Sequence, residues 1–280
     1  MNGVPTTRPL RGITLKIVSV MLFVTMAACI KATAPHIPPG EAVFFRSTFA
    51  MPVILVWLIL RHDLRNGLKT QHPMGHVWRG LGGTTARALA FTALGLLPLP
   101  EATAIGYAAP LLTVVFASMF LGEKVRLFRL TAVLFGLAGV LVVLGPRLTV
   151  TDIEAASKLE TVGAMAAVLG AVFAALAQVF VRKLVHTEST TAIVFYFSLT
   201  AAVLSLVTLP FGWALPTARE AALLITAGGL GGLGQILLTE SYRHAETSVI
   251  APFEYVSILL ALILGYLVFA EVPTTSMLVG

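Results

Sequence analysis

The sequence predicts an all-α integral membrane protein built from two inverted five-helix repeats, with nine complete spans and a truncated tenth. Three observations carry that prediction: the composition, a series of charge-poor stretches of membrane length, and a pattern that recurs later in the chain. Of 280 residues, 57% are hydrophobic and 11% charged, with 24 glycines besides. Soluble domains run about 45–50% apolar and about 25% charged, and a mean hydropathy of +0.92 has no place in water. A membrane helix takes roughly 20 residues and a connection a few more. The length therefore holds about ten spans at most and no separate soluble domain. One cysteine, Cys29, excludes an intramolecular disulfide framework and a multi-cysteine metal site.

The apolar stretches cover 13–33, 43–60, 80–97, 104–121, 127–144, 162–181, 192–209, 221–238 and 249–268. A tenth begins at Ser276, four residues before the chain stops, so the length suggests a ten-helix plan cut short. Alternating polarity of the barrel type is absent, which leaves helices. The first stretch follows Arg8, Arg11 and Lys16, and Met26-Ala-Ala-Cys29 faintly resembles a lipoprotein cleavage site. At about 21 residues it is long for a signal-peptide core, and a retained helix is expected. With the N-terminus inside, inner connections hold twelve Lys and Arg, and outer ones hold Arg147, Lys158 and Arg219. That bias places the N-terminus in the cytoplasm. The net charge of +6 is then topological, and no nucleic-acid partner is expected.

The halves resemble each other. Around the fourth stretch the chain reads PEATAIGYAAPLLTVVFASMFLGE, and around the ninth AETSVIAPFEYVSILLALILGYLVFAE. Tyr107 matches Tyr255, Leu121-Gly-Glu123 matches Phe269-Ala-Glu271, and Leu81-Gly-Gly83 matches Leu230-Gly-Gly232. The offset is 145 residues at Glu101 and 148 from Tyr107 onward. Repeat 1 thus runs 13–145 with five helices, and repeat 2 runs 162–280 with four helices and the start of a fifth. Five being odd, the repeats have opposite orientation, the plan of many secondary transporters.

Prolines and aromatics in the fourth and ninth helices, with closing LGE and FAE, resemble the ten-helix drug/metabolite transporter superfamily along essentially the whole chain. Arg46 in EAVFFRSTFAMP and Arg79 in HVWRGLGG fit its second and third helices. One departure is the superfamily's usual proline, present as Pro110 but replaced by Ile258 in the second half, which carries Pro252-Phe-Glu-Tyr255 instead. RGITLKIVSVMLFVTMAACIKA, EAVFFRSTFA and LPLPEATAIGYAAPLLTVVF look most like bacterial riboflavin transporters. An FFR…RG pattern is similar to S-adenosylmethionine uptake proteins of the same superfamily. The resemblance implies uptake of a small water-soluble metabolite across the bacterial inner membrane, riboflavin first. S-adenosylmethionine uptake and export of amino acids or related metabolites are the alternatives. It implies alternating access without a cofactor, and leaves a homodimer open.

Charges inside a span need a partner or a wet cavity. Arg87 lies about 10 Å deep in the third span and Glu254 about 8 Å deep in the ninth, from the same side at 1.5 Å per residue. They are expected to form an ion pair or a shared solute contact. Phe91, Tyr107, Gln178, Gln235, Phe253 and Tyr255 could add aromatic stacking and amide or hydroxyl contacts. Lys31 and Arg46, near the outer span ends, are expected to snorkel to the interface or to form an outward-facing entrance that attracts anionic or polar solute. Glu123 and Glu271 are expected to anchor helix ends, and Glu240 to pair locally with Arg243 or His244. The six histidines, placed in or beside connections, suggest solvated groups; His72 and His76 have only a weak metal spacing. Gly229-Leu-Gly-Gly-Leu-Gly234 spells a dinucleotide-binding string, but inside an apolar span it reads as close helix packing. No P-loop lysine, G-x-S-x-G or H-E-x-x-H string supports an enzyme.

Overall fold

The computed structural model describes residues 9–61, 67–121, 127–148, 155–185, 187–244 and 251–273. Its helices are α1 (Pro9–Thr33), α2 (Pro39–Leu60), α3 (Pro73–Leu96), α4 (Leu99–Gly106), α5 (Ala108–Leu121), α6 (Leu127–Leu148), α7 (Ala155–Val185), α8 (Thr190–Ser205), α9 (Ala218–His244) and α10 (Val256–Phe269). Short 3-10 segments, Leu206–Phe211 and Ala251–Tyr255, extend α8 and precede α10. With α4 and α5 counted as one span, the described residues contain the nine expected spans, and no strand occurs among them. Six stretches are long and apolar enough to cross a bilayer by length and composition, Leu10–Thr33 and Leu99–Phe120 among them; Leu130–Gly145 and Phe253–Phe269 are shorter. Glu123 and the tenth span lie outside the described residues.

Proline at the first or second position starts α2, α3 and α4, where its missing N–H costs no helix bond. Ser189 caps α8 by accepting from the Ala192 N–H at 3.0 Å. The division between α4 and α5 has a local cause. Pro110 cannot donate to the Gly106 carbonyl four residues back, and the Tyr107 N–H bonds to Ala104 in a tighter turn at 3.1 Å. A matching change from 3-10 to α-helix falls at Tyr255, 148 residues later.

Inverted symmetry shows in the packing. α1 lies along α9, and α7 lies along α3; these are the two most extensive helix pairings, each joining one half to the other. Contacts recur in exchanged form. A Cβ on Gly170 of α7 would meet Ala86 of α3, and a Cβ on Gly234 of α9 would meet Leu22 of α1. Residues 22 and 170, like 86 and 234, are 148 apart. The structural offset in the third helix is therefore 148, one residue from the sequence match of Leu81-Gly-Gly83 with Leu230-Gly-Gly232. One apolar core joins α1, α2, α3, α8 and α9 through Val24, Ile30, Val43, Phe91, Phe197 and Leu224. A second joins α3, α6 and α7 through Leu97, Val140, Leu144 and Ala164. Leu134, Phe135 and Leu141 of α6 and Ile263 and Leu267 of α10 stay exposed, as lipid-facing residues would.

The glycine string lies on α9 at helix contacts, with no strand before it. Gly228 abuts the Phe49 backbone and Gly232 the Ala50 backbone of α2, whereas nothing lies within 4 Å of a Cβ on Gly229. Gly228→Val should therefore destabilise the chain by about 1–3 kcal/mol through overpacking, while Gly229→Val should lower the thermal midpoint in detergent much less. Equal midpoints for the two variants would remove the close-packing account.

Candidate functional site

Tyr107, at the α4–α5 break, stacks on Tyr255 with ring centres 5.1 Å apart and planes at 29°. Its hydroxyl donates to the Glu254 carbonyl at 2.7 Å and meets the Ser257 hydroxyl. On the neighbouring helices, Arg87 Nη2 donates to Gln235 Oε1 at 3.4 Å. Both pairs are separated by 148 residues, so each joins repeat-equivalent positions. A residue can touch its own symmetry mate only near the symmetry axis. The pseudo-two-fold thus runs between Tyr107 and Tyr255 and between Arg87 and Gln235, where both repeats present polar groups.

The structure corrects several expectations. Arg87 and Glu254 are not an ion pair: Glu254 Oε2 lies 2.9 Å from Lys16 Nζ on α1. Lys16 is about 10 Å along α1 from Pro9 at 1.5 Å per residue, and only 1% exposed, so it is the interior cation that Glu254 neutralises. Phe91 is a core residue, 4% exposed, on an apolar cleft of ≈ 220 Å³ with Ile30, Ile37 and Ala42. Gln178 and Phe253 are half-buried, and no hydrogen bond or ring contact among the described residues joins them to the tyrosine pair. Lys31 does not snorkel. Its ammonium donates to the Leu94 and Leu97 carbonyls at the end of α3, at 3.1 and 2.6 Å, and pairs with Glu271 Oε1 at 2.9 Å. Glu271 Oε2 in turn accepts from Leu99 N at 2.8 Å. A cation thus sits at one helix C-terminus and an anion at the next N-terminus, each favoured by the helix dipole. Glu240 pairs with Arg61 at 3.5 Å, and the Arg243 side chain lies outside the described residues.

Arg46 is likewise interior, 1% exposed, and belongs to a group that sequence reasoning missed. Arg79, Gly83 and Arg87 fall at i, i+4 and i+8 of α3, which places them along one ridge. The Phe197 ring of α8 fills the space that a side chain at Gly83 would take. The guanidinium carbons of Arg79 and Arg87 lie 4.0 and 5.6 Å from its ring centre, and that of Arg46 lies 5.7 Å away. Gly231 opposite leaves room for Arg46, since a Cβ there would meet Arg46 Nε at 2.8 Å. Arg46 Nη2 donates to the Gly231 carbonyl at 3.4 Å, yet its Nε and Nη1, like Nε and Nη1 of Arg79, are buried without a hydrogen-bond partner among the described residues. A mid-membrane arginine costs about 2.5–3.5 kcal/mol on insertion scales. Cation–π contact with one ring offsets roughly 0.5–2 kcal/mol, shared here by three cations. The available signal is the Arg-x-x-x-Gly-x-x-x-Arg spacing of residues 79–87, which the apolar stretch starting at residue 80 cuts at its first arginine.

Carboxylates also fasten the two ends of the bundle. At the end where α1 starts, Glu188 Oε1 accepts from Gln71 N at 2.8 Å, His72 N at 2.9 Å and Thr70 Oγ1 at 3.0 Å. Tyr196 and Ser189 donate to the Leu68 and Gly67 carbonyls at 3.0 and 2.6 Å. His76, expected in solvent, is 3% exposed, packs on Tyr196 and lies 3.7 Å from Glu188. At the other end, Glu41 Oε2 accepts from Ala214 N at 2.9 Å, while His36 faces Glu220 at 3.1 Å. Glu41 and Glu188 are 147 residues apart, one short of the repeat offset, and anchor the start of α2 and the segment before α8 at opposite ends. No group of three potential metal ligands occurs among the described residues.

A bundle of inverted repeats meeting at a polar axis defines a membrane carrier. The EamA-like transporter family matches residues 10–145 and again 161–280, so the chain belongs to that family, within the drug/metabolite transporter superfamily. A solute carrier family 35 match spans 88–211. The chain is 33% identical to the pseudopaline exporter CntI of Pseudomonas aeruginosa over 96% of this chain and 91% of that one. It is 29% identical to an S-adenosylmethionine uptake transporter of Rickettsia bellii over 86% and 79%. A crystal structure of another protein superposes with a TM-score of 0.68 at 22% identity, covering 96% of this chain and 91% of the other, and shows the same fold. The protein is a multi-pass transporter of a small molecule, and not an enzyme.

Glu188 yields a stability prediction outside the membrane-spanning segments. Burial raises its pKa, but the bonds from Gln71, Thr70 and His72 outweigh that and hold the carboxyl below its ordinary value. A carboxylate with a lowered folded pKa stabilises above its unfolded pKa, about 4.3, and loses that stabilisation as pH falls through the folded value. Glu188→Gln should cost about 1–2 kcal/mol at neutral pH. The wild-type minus variant difference in thermal midpoint should shrink between about pH 5 and pH 3. A difference independent of pH would show that the charge on Glu188 contributes nothing.

Proposed function

We propose that the chain exports an amino-acid-derived metabolite across the bacterial cytoplasmic membrane by alternating access, with its N-terminus in the cytoplasm. The observation that carries the reading is the meeting of repeat-equivalent residues, Tyr107 with Tyr255 and Arg87 with Gln235, on one axis between the carboxylate anchors. Inverted repeats let one packing convert into its mirror role at the other face, and broken helices line the crossing point. Releasing Glu188 while Glu41 holds would open the cytoplasmic end, and the reverse would open the outer end. Tyr107, Gln235, Tyr255, Arg87 and Glu254 would border the solute path, with Phe253 and Gln178 flanking it and Phe91 supporting α3.

Export is supported by the likeness to the pseudopaline exporter along nearly the whole chain. S-adenosylmethionine uptake is the second reading, favoured by the rickettsial relatives. Neither named relative carries riboflavin in its name, and three interior arginines favour a charged solute over a neutral flavin. The cationic connections support the orientation.

Proteoliposomes containing the full chain should move labelled pseudopaline or S-adenosylmethionine faster than protein-free vesicles, and riboflavin no faster. Movement of riboflavin alone would overturn the solute class. In a Cys29→Ser background, Leu215→Cys should react with an impermeant maleimide in intact cells, while Asn2→Cys should react only after permeabilisation. The opposite pattern would invert the topology.

A further inference from the structure

We propose that Arg46, Arg79 and Arg87, gathered on the Phe197 ring, form the dock for a carboxylate of the transported solute. This rests on the reading of the chain as a carrier of an amino-acid-derived metabolite. The cluster is a built site: α2 supplies one cation, one ridge of α3 two, and α8 the ring that holds them. Gly83 and Gly231 leave the space that the ring and Arg46 occupy.

Among the described residues no carboxylate forms an ion pair with it. Among the described carboxylates, Glu254, Glu271 and Glu240 form ion pairs with Lys16, Lys31 and Arg61, Glu188 and Glu220 face histidines, and Glu41 accepts a backbone N–H. None of these ion pairs involves Arg46, Arg79 or Arg87. Among the described residues, Nε and Nη1 of Arg46 and of Arg79 are buried donors without partners, on side chains 1% and 5% exposed. Unmet guanidinium donors bind planar, anionic oxygen pairs through charge-assisted bonds. Arg87 is less buried, lies near the Phe197 and Phe23 rings, and its one hydrogen bond among the described residues is the long 3.4 Å bond to Gln235, so it can swing toward an incoming anion. Its tie to the axis would make anion arrival alter the contact between repeats. An α-amino acid head group, such as that of S-adenosylmethionine, fits because it brings one carboxylate. Its amine then points away from the arginines.

The test uses the full-length purified protein in detergent and matched probes: S-adenosylmethionine, its decarboxylated analogue, citrate and sulfate. The two carboxylates should raise the thermal midpoint at concentrations where the decarboxylated analogue does not, with apparent affinity lowered roughly tenfold or more by Arg79→Gln and by Arg46→Gln. Arg79→Lys should recover part of it, because charge remains but the fork is lost. An equal response to S-adenosylmethionine and its decarboxylated analogue, a response to sulfate alone, or no response to either carboxylate overturns the dock, even if both variants misfold. Transport of either named solute would then leave the carrier reading standing. Conversely, a carboxylate-dependent shift without transport of either would retain the dock and reject the proposed solutes.

Discussion

The bilayer's intolerance of unpaired charge organises this molecule. Each described ion pair joins one half of the chain to the other: Lys16 to Glu254, Lys31 to Glu271 and Arg61 to Glu240, and the His36–Glu220 and His76–Glu188 contacts cross in the same way. A repeat folded alone would leave Lys16 and Lys31 without those carboxylates, at a cost that hydrocarbon does not screen. Interdigitation supplies the partners. α1 crosses to α9 and α7 to α3, and small residues let those helices come close enough for the charges to meet. The Ser19 hydroxyl, buried on α1, likewise reaches the Gly234 carbonyl on α9 at 2.8 Å.

The spans and the repeat were legible because both depend on properties local to the chain. A run of apolar residues fixes a membrane helix, and Tyr107 and Tyr255 mark equivalent positions in any packing consistent with the repeat. The pairing of charges was less legible because depth along a helix is only one coordinate. Arg87 and Glu254 share a depth, but the direction in which each side chain leaves its helix decides the partner, and that depends on how α1, α3, α9 and α10 are rotated. Lys16 has a similar depth on α1 and takes Glu254. The same missing coordinate hid Arg46. Near a span end it could have reached the interface, yet the groove opened by Gly231 turns it inward. For His76, proximity to a connection suggested water, whereas Tyr196 and the Glu188 network close over it.

Inversion makes the repeats equivalent in path but not in detail, and the difference is concentrated where movement would matter. Glu188 gathers two backbone N–H groups and a hydroxyl, whereas Glu41 accepts one backbone N–H at the other end. The fourth span kinks at Tyr107 because Pro110 cannot donate, whereas the ninth carries Ile258 at that place and begins with a 3-10 segment containing Pro252. Were the halves identical, states opened at either face would be equal in energy, and neither end would be favoured in the empty carrier. For a carrier working by alternating access, the different partners of Glu41 and Glu188 would break that degeneracy, while the repeat would preserve the geometry through which the states interconvert. Arg87 and Gln235 occupy equivalent places on the axis, yet only one is a cation. In the carrier proposed above, charge asymmetry at the crossing point would let an anionic solute bias an equilibrium that repeat geometry alone would leave balanced.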